Sequence, residues 1–189
     1  MILNKEDLKR YLLEDYRNYQ PVVGYKRFYH QACANPINDQ WYILKYIKTL
    51  RKCEYHINKD GLLNKLKRFW YLHRLRSLSC ITGFQIPPNT VGEGLTIWHW
   101  GPIIINPKVK IGANCTLYPG VLIGHKEEGL PAPVIGNNVF ICSGAKIIGN
   151  VHIGDNVVIG HNCVITRDIP DNTKVVVDKI NRNIDSNDK

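Results

Sequence analysis

A period of six residues governs the second half of this chain and leaves little choice of fold. From Ile105 it reads INPKVK, IGANCT, LYPGVL, IGHKEE, GLPAPV, IGNNVF, ICSGAK, IIGNVH, IGDNVV, IGHNCV, ITRDIP. An aliphatic residue opens nearly every line, from Ile105, Ile111, Leu117 and Ile123 through Ile135, Ile141 and Ile147 to Ile153, Ile159 and Ile165. A small or β-branched residue usually fills the fifth place, among them Val109, Cys115, Val121, Ala145 and Cys163. Such a repeat predicts a parallel β-helix, with each hexad forming one side of a triangular coil. Opener and fifth residue both face inward and stack on the coil below, about 4.8 Å away. Glycine and asparagine relieve the backbone at the corners.

The repeat breaks twice. The line GLPAPV lacks its opener, and HKEEGLPAP carries charge, glycine and two prolines. This predicts a loop thrown out of the column near 125–133. The second break lies upstream. Val91, Ile97 and Ile103 keep the period, but the following frame starts at Ile105, a slip of two residues. The strand there must bulge, and bulges re-aim side chains next to active sites. Inside the slip stands LTIWHWGPIIIN, with His99 between Trp98 and Trp100. That makes His99 either a base aimed into a pocket or part of a packed aromatic corner.

Before residue 85 the period is helical. KEDLKRYLLEDY sets Leu8, Leu12 and Leu13 on one face. DQWYILKYIKTLRKCEYHI reads as a second helix. GLLNKLKRFWYLHRLRSLSC reads as a third, with Leu62, Leu66, Phe69, Trp70 and Leu78 near one stripe. This third helix holds five Lys/Arg and no acid. It either packs on its own domain with a solvated basic face or lies on an anionic membrane through 61–80. The expected organisation is an α-helical domain at 1–84, a β-helix at 85–175 and a C-terminal tail at 176–189, polar and disordered from Asn181 to Lys189. The fold class is mainly β.

The net charge of +9 points to an anionic partner. The basic residues gather in the helical half without any nucleic-acid reading motif, so nucleic acid is the least favoured partner. No apolar run approaches the roughly 20 residues of a spanning helix. The N-terminus is charged from residue 5 onward, unlike a secretory signal, and a cytoplasmic location is expected. The six cysteines form no CxxC pair and no zinc spacing. They are read as buried, reduced thiols, and no metal is expected.

Residues 85–175 resemble the left-handed β-helix of the hexapeptide acyltransferases. The closer resemblance is to serine O-acetyltransferases and to the serine-acetyltransferase-like enzymes of bacterial capsule and exopolysaccharide gene clusters. VGEGLTIWHWGPIIIN is similar to the segment that carries that family's catalytic histidine, and IGNNVFICSGAKIIGNVHIGDNVVIGHNCVITRDIP to the coils that hold coenzyme A. The resemblance implies left-handed winding, a homotrimer with active sites between neighbouring columns, acetyl-CoA as donor, and direct transfer without an acyl-enzyme. It makes His99 the general base. Trp98 and Trp100 become pocket walls, and Glu93 a substrate-pocket carboxylate that, like Glu127 or Glu128, can orient the His99 ring. His125, at the loop's start, is a candidate second catalytic group. Ser143, Gly144 and Ala145 are the residues expected along the pantetheine arm, with Lys146, His161 and Arg167 as further coenzyme-binding candidates.

The resemblance also has departures. Aligned without gaps back from His99, the family's catalytic aspartate falls on Phe84, and its second active-site histidine falls on Ala132. Where the family carries a Gly-x-Pro-Ala turn, this chain has Val176-Val177-Asp178-Lys179. The first two departures argue against L-serine as acceptor, and the third bears on how the adenine is bound. The leading expectation is therefore acetyl transfer to the hydroxyl of a sugar or lipid-linked saccharide in polysaccharide synthesis, at the inner face of the membrane. Serine acetylation for cysteine synthesis and a non-catalytic scaffold are the alternatives.

Overall fold

The computed structural model describes residues 1–19 and 39–177. Cys33 and the tail from 178 onward lie outside the described residues, and with them most of the expected 176–189 segment. Among the described residues three helices come first: α1 (Lys5–Arg17), α2 (Gln40–Ile57) and α3 (Leu62–Thr82). Thirteen short strands follow, from β1 (Phe84–Gln85) to β13 (Lys174–Val175). Every strand pairing is parallel, and the strands form three sheets that are the walls of one column.

The hexad frame accounts for the core. Every opener from Ile105 to Ile165 is buried, as are Val109, Cys115, Val121, Val139, Ala145, Val151, Val157 and Cys163 in the fifth place. A regular coil takes eighteen residues, as in Ile105↔Ile123 and Ile147↔Ile165. The step lengthens to twenty-four across the loop, where Ile123 meets Ile147. It lengthens to twenty at the slip, where Ile97 meets Leu117.

One corner is built from asparagines. Asn114, Asn138, Asn156 and Asn172 all adopt left-handed backbone, φ 55° to 58°. Each of the first three donates Nδ2 to Oδ1 of the next at 3.0 Å. Asparagine tolerates this conformation better than other residues with a Cβ, and the stacked amides satisfy one another in register.

The helices cap the top of the column. In α2, Ile43, Tyr46, Ile47, Leu50 and Cys53 form one buried face. Tyr46 meets Phe84 edge-on at 5.1 Å, and its hydroxyl accepts from Ile86 N and donates to Ile86 O. Burial pushes the Tyr46 phenol up to about 12, so it keeps the proton it donates.

Arg51, which is fully buried, ties the helices to the column. Its Nε and Nη2 donate to the Asp15 carboxylate at 2.7 and 3.1 Å, and Nη1 donates to Glu54 at 3.1 Å. Nη1 also meets Val91 O at 2.9 Å, and Nη2 meets Gly92 O at 2.5 Å. All five guanidinium N–H groups are thus used. Asp15 further accepts from Leu95 N, and Glu54 from Asn89 N. Burial pushes both carboxyls up and Arg51 pulls them back down, while the two carboxylates outweigh the desolvation of the guanidinium and keep it charged.

The helical half departs from its expected faces. In α1, Leu13 is exposed, and the buried positions are Tyr11 and Asp15, which reach Arg51. In α3, Leu75, Leu78 and Thr82 are buried, whereas Leu62, Leu66, Phe69 and Trp70 point outward. The helix has two apolar faces, and periodicity alone cannot say which one meets α2. Cys53, Cys115, Cys142 and Cys163 are buried free thiols, but Cys80 on α3 is exposed. Burial pushes the Cys115 thiol up to about 12 and also raises Cys142.

Arg51→Met leaves two carboxylates buried without their cation. It should cost about 3–5 kcal/mol, the range for breaking a buried ion pair on one side. Urea denaturation of wild type and variant measures the loss; a midpoint within error of wild type would contradict the clamp.

Candidate functional site

The slip between β2 (Thr96–Ile97) and β3 (Ile103–Ile105) turns His99 out of the wall. His99 has φ 68°, and its side chain is 70% exposed. A left-handed conformation at a residue with a full side chain stores about 1–3 kcal/mol and persists only where neighbours enforce it. Those neighbours come from the helical half.

Asp39, just ahead of α2, is the first. It stands at the helix N-cap, yet its side chain makes no capping bond. Instead Oδ2 lies 3.1 Å from His99 Nδ1 and accepts from Trp100 N, also at 3.1 Å. An ionised carboxylate only accepts, so the proton in this contact sits on Nδ1, and in the neutral ring Nε2 is then the nitrogen with the lone pair.

Tyrosines hold the flanks. The buried Tyr19 hydroxyl accepts from Ile97 N at 2.7 Å and donates to Ile97 O at 3.0 Å. Burial raises its phenol far above the usual tyrosine value, so it remains a donor. Its ring lies 6.0 Å from Trp98, and Tyr42 on α2 lies 5.6 Å from Trp100. Asn18 donates to Thr96 Oγ1 at 2.7 Å. On the far side Gly101 N donates to Thr82 O at 2.9 Å. Gly83, the left-handed C-cap of α3, packs so close that a Cβ would stand 2.9 Å from the Gly101 carbonyl carbon. Helix ends therefore fix the turn on both sides of His99.

The other expected site residues are spread along the column. Trp98 is half-buried, and Trp100 is exposed beside His99. Glu93 does not orient the imidazole; it pairs with Arg10 at 2.8 Å and ties α1 to the column. Glu127 and Glu128 are exposed in the loop. His125 is half-buried, with Asn106 Nδ2 3.0 Å from its Nδ1. Ser143 and Gly144 follow β8 (Phe140–Ile141) at a corner, where Gly144 has φ 76° over Asn162. The Ala145 methyl is inside the core, leaving only its backbone for a ligand. Lys146 Nζ donates to Gly120 O, while His161 and Arg167 are exposed.

Asp39, Tyr42 and Tyr19 were not among the expected site residues. An aspartate at a helix start reads as a cap, and no local signal marks one that faces elsewhere. Phe84 explains why counting back from His99 failed. It is a fully buried core residue paired with Ile103, and the carboxylate at the histidine arrives from the helical half instead. Ala132 is likewise buried, at the foot of the loop.

Known proteins similar to this chain point to one family. The family model "Bacterial transferase hexapeptide (six repeats)" matches residues 132–167. The serine acetyltransferase of Helicobacter pylori is 36% identical over 118 residues, covering 60% of this chain and 69% of that protein. Those of Synechococcus elongatus and Staphylococcus epidermidis are 38% identical over 99 residues and 40% over 118. The matches cover 51% and 60% of this chain but only 41% and 55% of those proteins, so this chain spans about half their length. Soybean serine acetyltransferase complexed with serine superposes with a TM-score of 0.70 at 22% identity, covering 93% of this chain and 69% of that one. Serine acetyltransferase isoform 3 of Entamoeba histolytica, in complex with cysteine, gives 0.67 at 22%, covering 95% and 60%. At such identities the structural likeness speaks for the fold. The relatives overturn the expectation of a sugar acceptor and of a role in capsule or exopolysaccharide synthesis, because they are serine acetyltransferases. The chain belongs to the serine acetyltransferase family of hexapeptide-repeat transferases.

Proposed function

We propose that this protein transfers the acetyl group of acetyl-CoA to the hydroxyl of L-serine, with His99 as general base. The observation that carries the role of His99 is its contact with Asp39, which takes up Nδ1 and turns Nε2 of an exposed imidazole toward solvent. In this reading Nε2 takes the proton from the serine hydroxyl as its oxygen attacks the thioester carbonyl. The tetrahedral adduct then collapses, the carbon–sulfur bond breaks, and the imidazolium returns the proton to the departing sulfur. The products are O-acetylserine and coenzyme A. Asp39 keeps the ring in one tautomer and offsets the imidazolium charge at the midpoint of the cycle. No protein nucleophile is required, because a thioester is already activated.

Within the same proposal the donor lies along the corner at Ser143, Gly144 and the Ala145 backbone. His161 and Arg167 are free to meet its phosphates, whereas Lys146 is occupied by Gly120 O. His125 and the two tryptophans stay candidates for the acceptor side. The column winds left-handed in this reading, with residues 1–84 as a helical domain that supplies Asp39. Three chains assemble around it, and an apolar outer wall supports the trimer. Ile104, Leu122 and Val164 stand outward in one register of a single sheet, interrupted by Lys146, with Val164 65% exposed.

A thiol-release assay with acetyl-CoA tests the proposal against L-serine and a panel of sugars. Turnover is expected with serine and not with sugars. His99→Ala should lower kcat by about 10²–10⁴-fold, the usual range for a general base; turnover unchanged in this variant would contradict the role.

Asp39→Asn keeps the shape but removes the charge. It should lower kcat by about 10²-fold or more, with KM for acetyl-CoA nearly unchanged. Wild-type kcat in that variant would mean the pair does not set the imidazole.

A further inference from the structure

The outward face of α3 is unlike the rest of the surface. Leu62, Leu63, Leu66 and Phe69 are 74%, 72%, 62% and 76% exposed, and Trp70 is 52% exposed. At 100° per residue, Leu62, Leu66, Phe69 and Trp70 fall on one stripe opposite the buried Leu75, Leu78 and Thr82. Lys65 and Arg76 border the stripe on one side, and Lys67 and Arg74 on the other. Arg74 lies 5.2 Å over the Trp70 ring. The helix contains no acidic residue. No helix among the described residues is long and apolar enough to cross a membrane, so this face is a surface-lying feature.

We propose that α3 docks this protein on the surface of an anionic phospholipid bilayer. The apolar stripe sits among the acyl chains, and the lysines and arginines meet the headgroups. The geometry is that of an interfacial amphipathic helix: a bulky apolar strip carrying an aromatic residue, with cations along both edges. Charge argues against the competing occupant. Two copies joined symmetrically through α3 would set the same face against itself, pressing the four bordering cations against four with no acid on either helix. An anionic bilayer answers both the charge and the exposed apolar side chains. The proposal stands on α3 alone and does not depend on the identity of the acceptor.

Flotation of the full chain with vesicles tests it. Binding is expected to vesicles of phosphatidylcholine with phosphatidylglycerol and not to phosphatidylcholine alone. The bound fraction should fall about tenfold or more between about 0.05 M and 1 M salt, where the screening length shrinks to about 3 Å. Two outward-facing variants, Phe69→Ser with Trp70→Ser and Lys67→Glu with Arg74→Glu, should each abolish binding. Neither touches the column, so circular dichroism and serine turnover should stay at wild-type levels. Absence of vesicle binding by the wild-type chain would overturn the proposal. So would light scattering in which Phe69→Ser with Trp70→Ser changes the oligomer mass while vesicle binding is unchanged, because the stripe would then belong to a second copy.

Discussion

One buried cation joins the elements that bring Asp39, Tyr42 and Tyr19 to the site. Arg51 joins α1 through Asp15, α2 through Glu54, and the first coil through the carbonyls of Val91 and Gly92. Burying such a group is costly unless every donor is met and the charge is balanced, and here both conditions hold. The result is a rigid joint between a helical cap and a solenoid that share no repeat. From that joint α2 carries Asp39 and Tyr42, and α1 leads into Tyr19. All three reach the turn around His99, which has no hexad regularity of its own to hold it.

The solenoid makes the opposite contribution. Its walls are stiff because inward openers stack at a fixed spacing and corner asparagines pair from coil to coil. A perfect repeat would keep every outward side chain in line along the wall. Two extra residues between Ile97 and Leu117 break that regularity at one point. The turn they create is strained at His99, and the Asp39 contacts to both the ring and Trp100 N hold it. Regular structure supplies the platform, and irregular structure, braced from outside, supplies the candidate chemistry.

This division also explains what could be read from the sequence. The hexads, the extruded loop and the displaced histidine were legible because each is a local pattern with a fixed period or a break in one. The helical faces were harder to read. Leu66 and Phe69 looked like core but are outward-facing, because α3 has two apolar sides and only contact with α2 selects between them. Asp39 was hidden for another reason: it meets His99 across sixty positions of chain, and nothing in its own segment records the encounter. The expectation of a sugar acceptor rested on Phe84 and Ala132 together, and the serine acetyltransferase relatives overturn it. Phe84 carries no carboxylate, and the one that meets His99, Asp39, belongs to a different element.

The central claim is that a carboxylate from the helical cap fixes the tautomer of His99. Nitrogen NMR of the ¹⁵N-labelled protein measures this directly, with the His99 signals assigned by their absence in His99→Ala. The account requires a neutral ring protonated at Nδ1 and bare at Nε2, with that preference lost in Asp39→Ala. A ring protonated at Nε2, or one whose tautomer ignores Asp39, would contradict it.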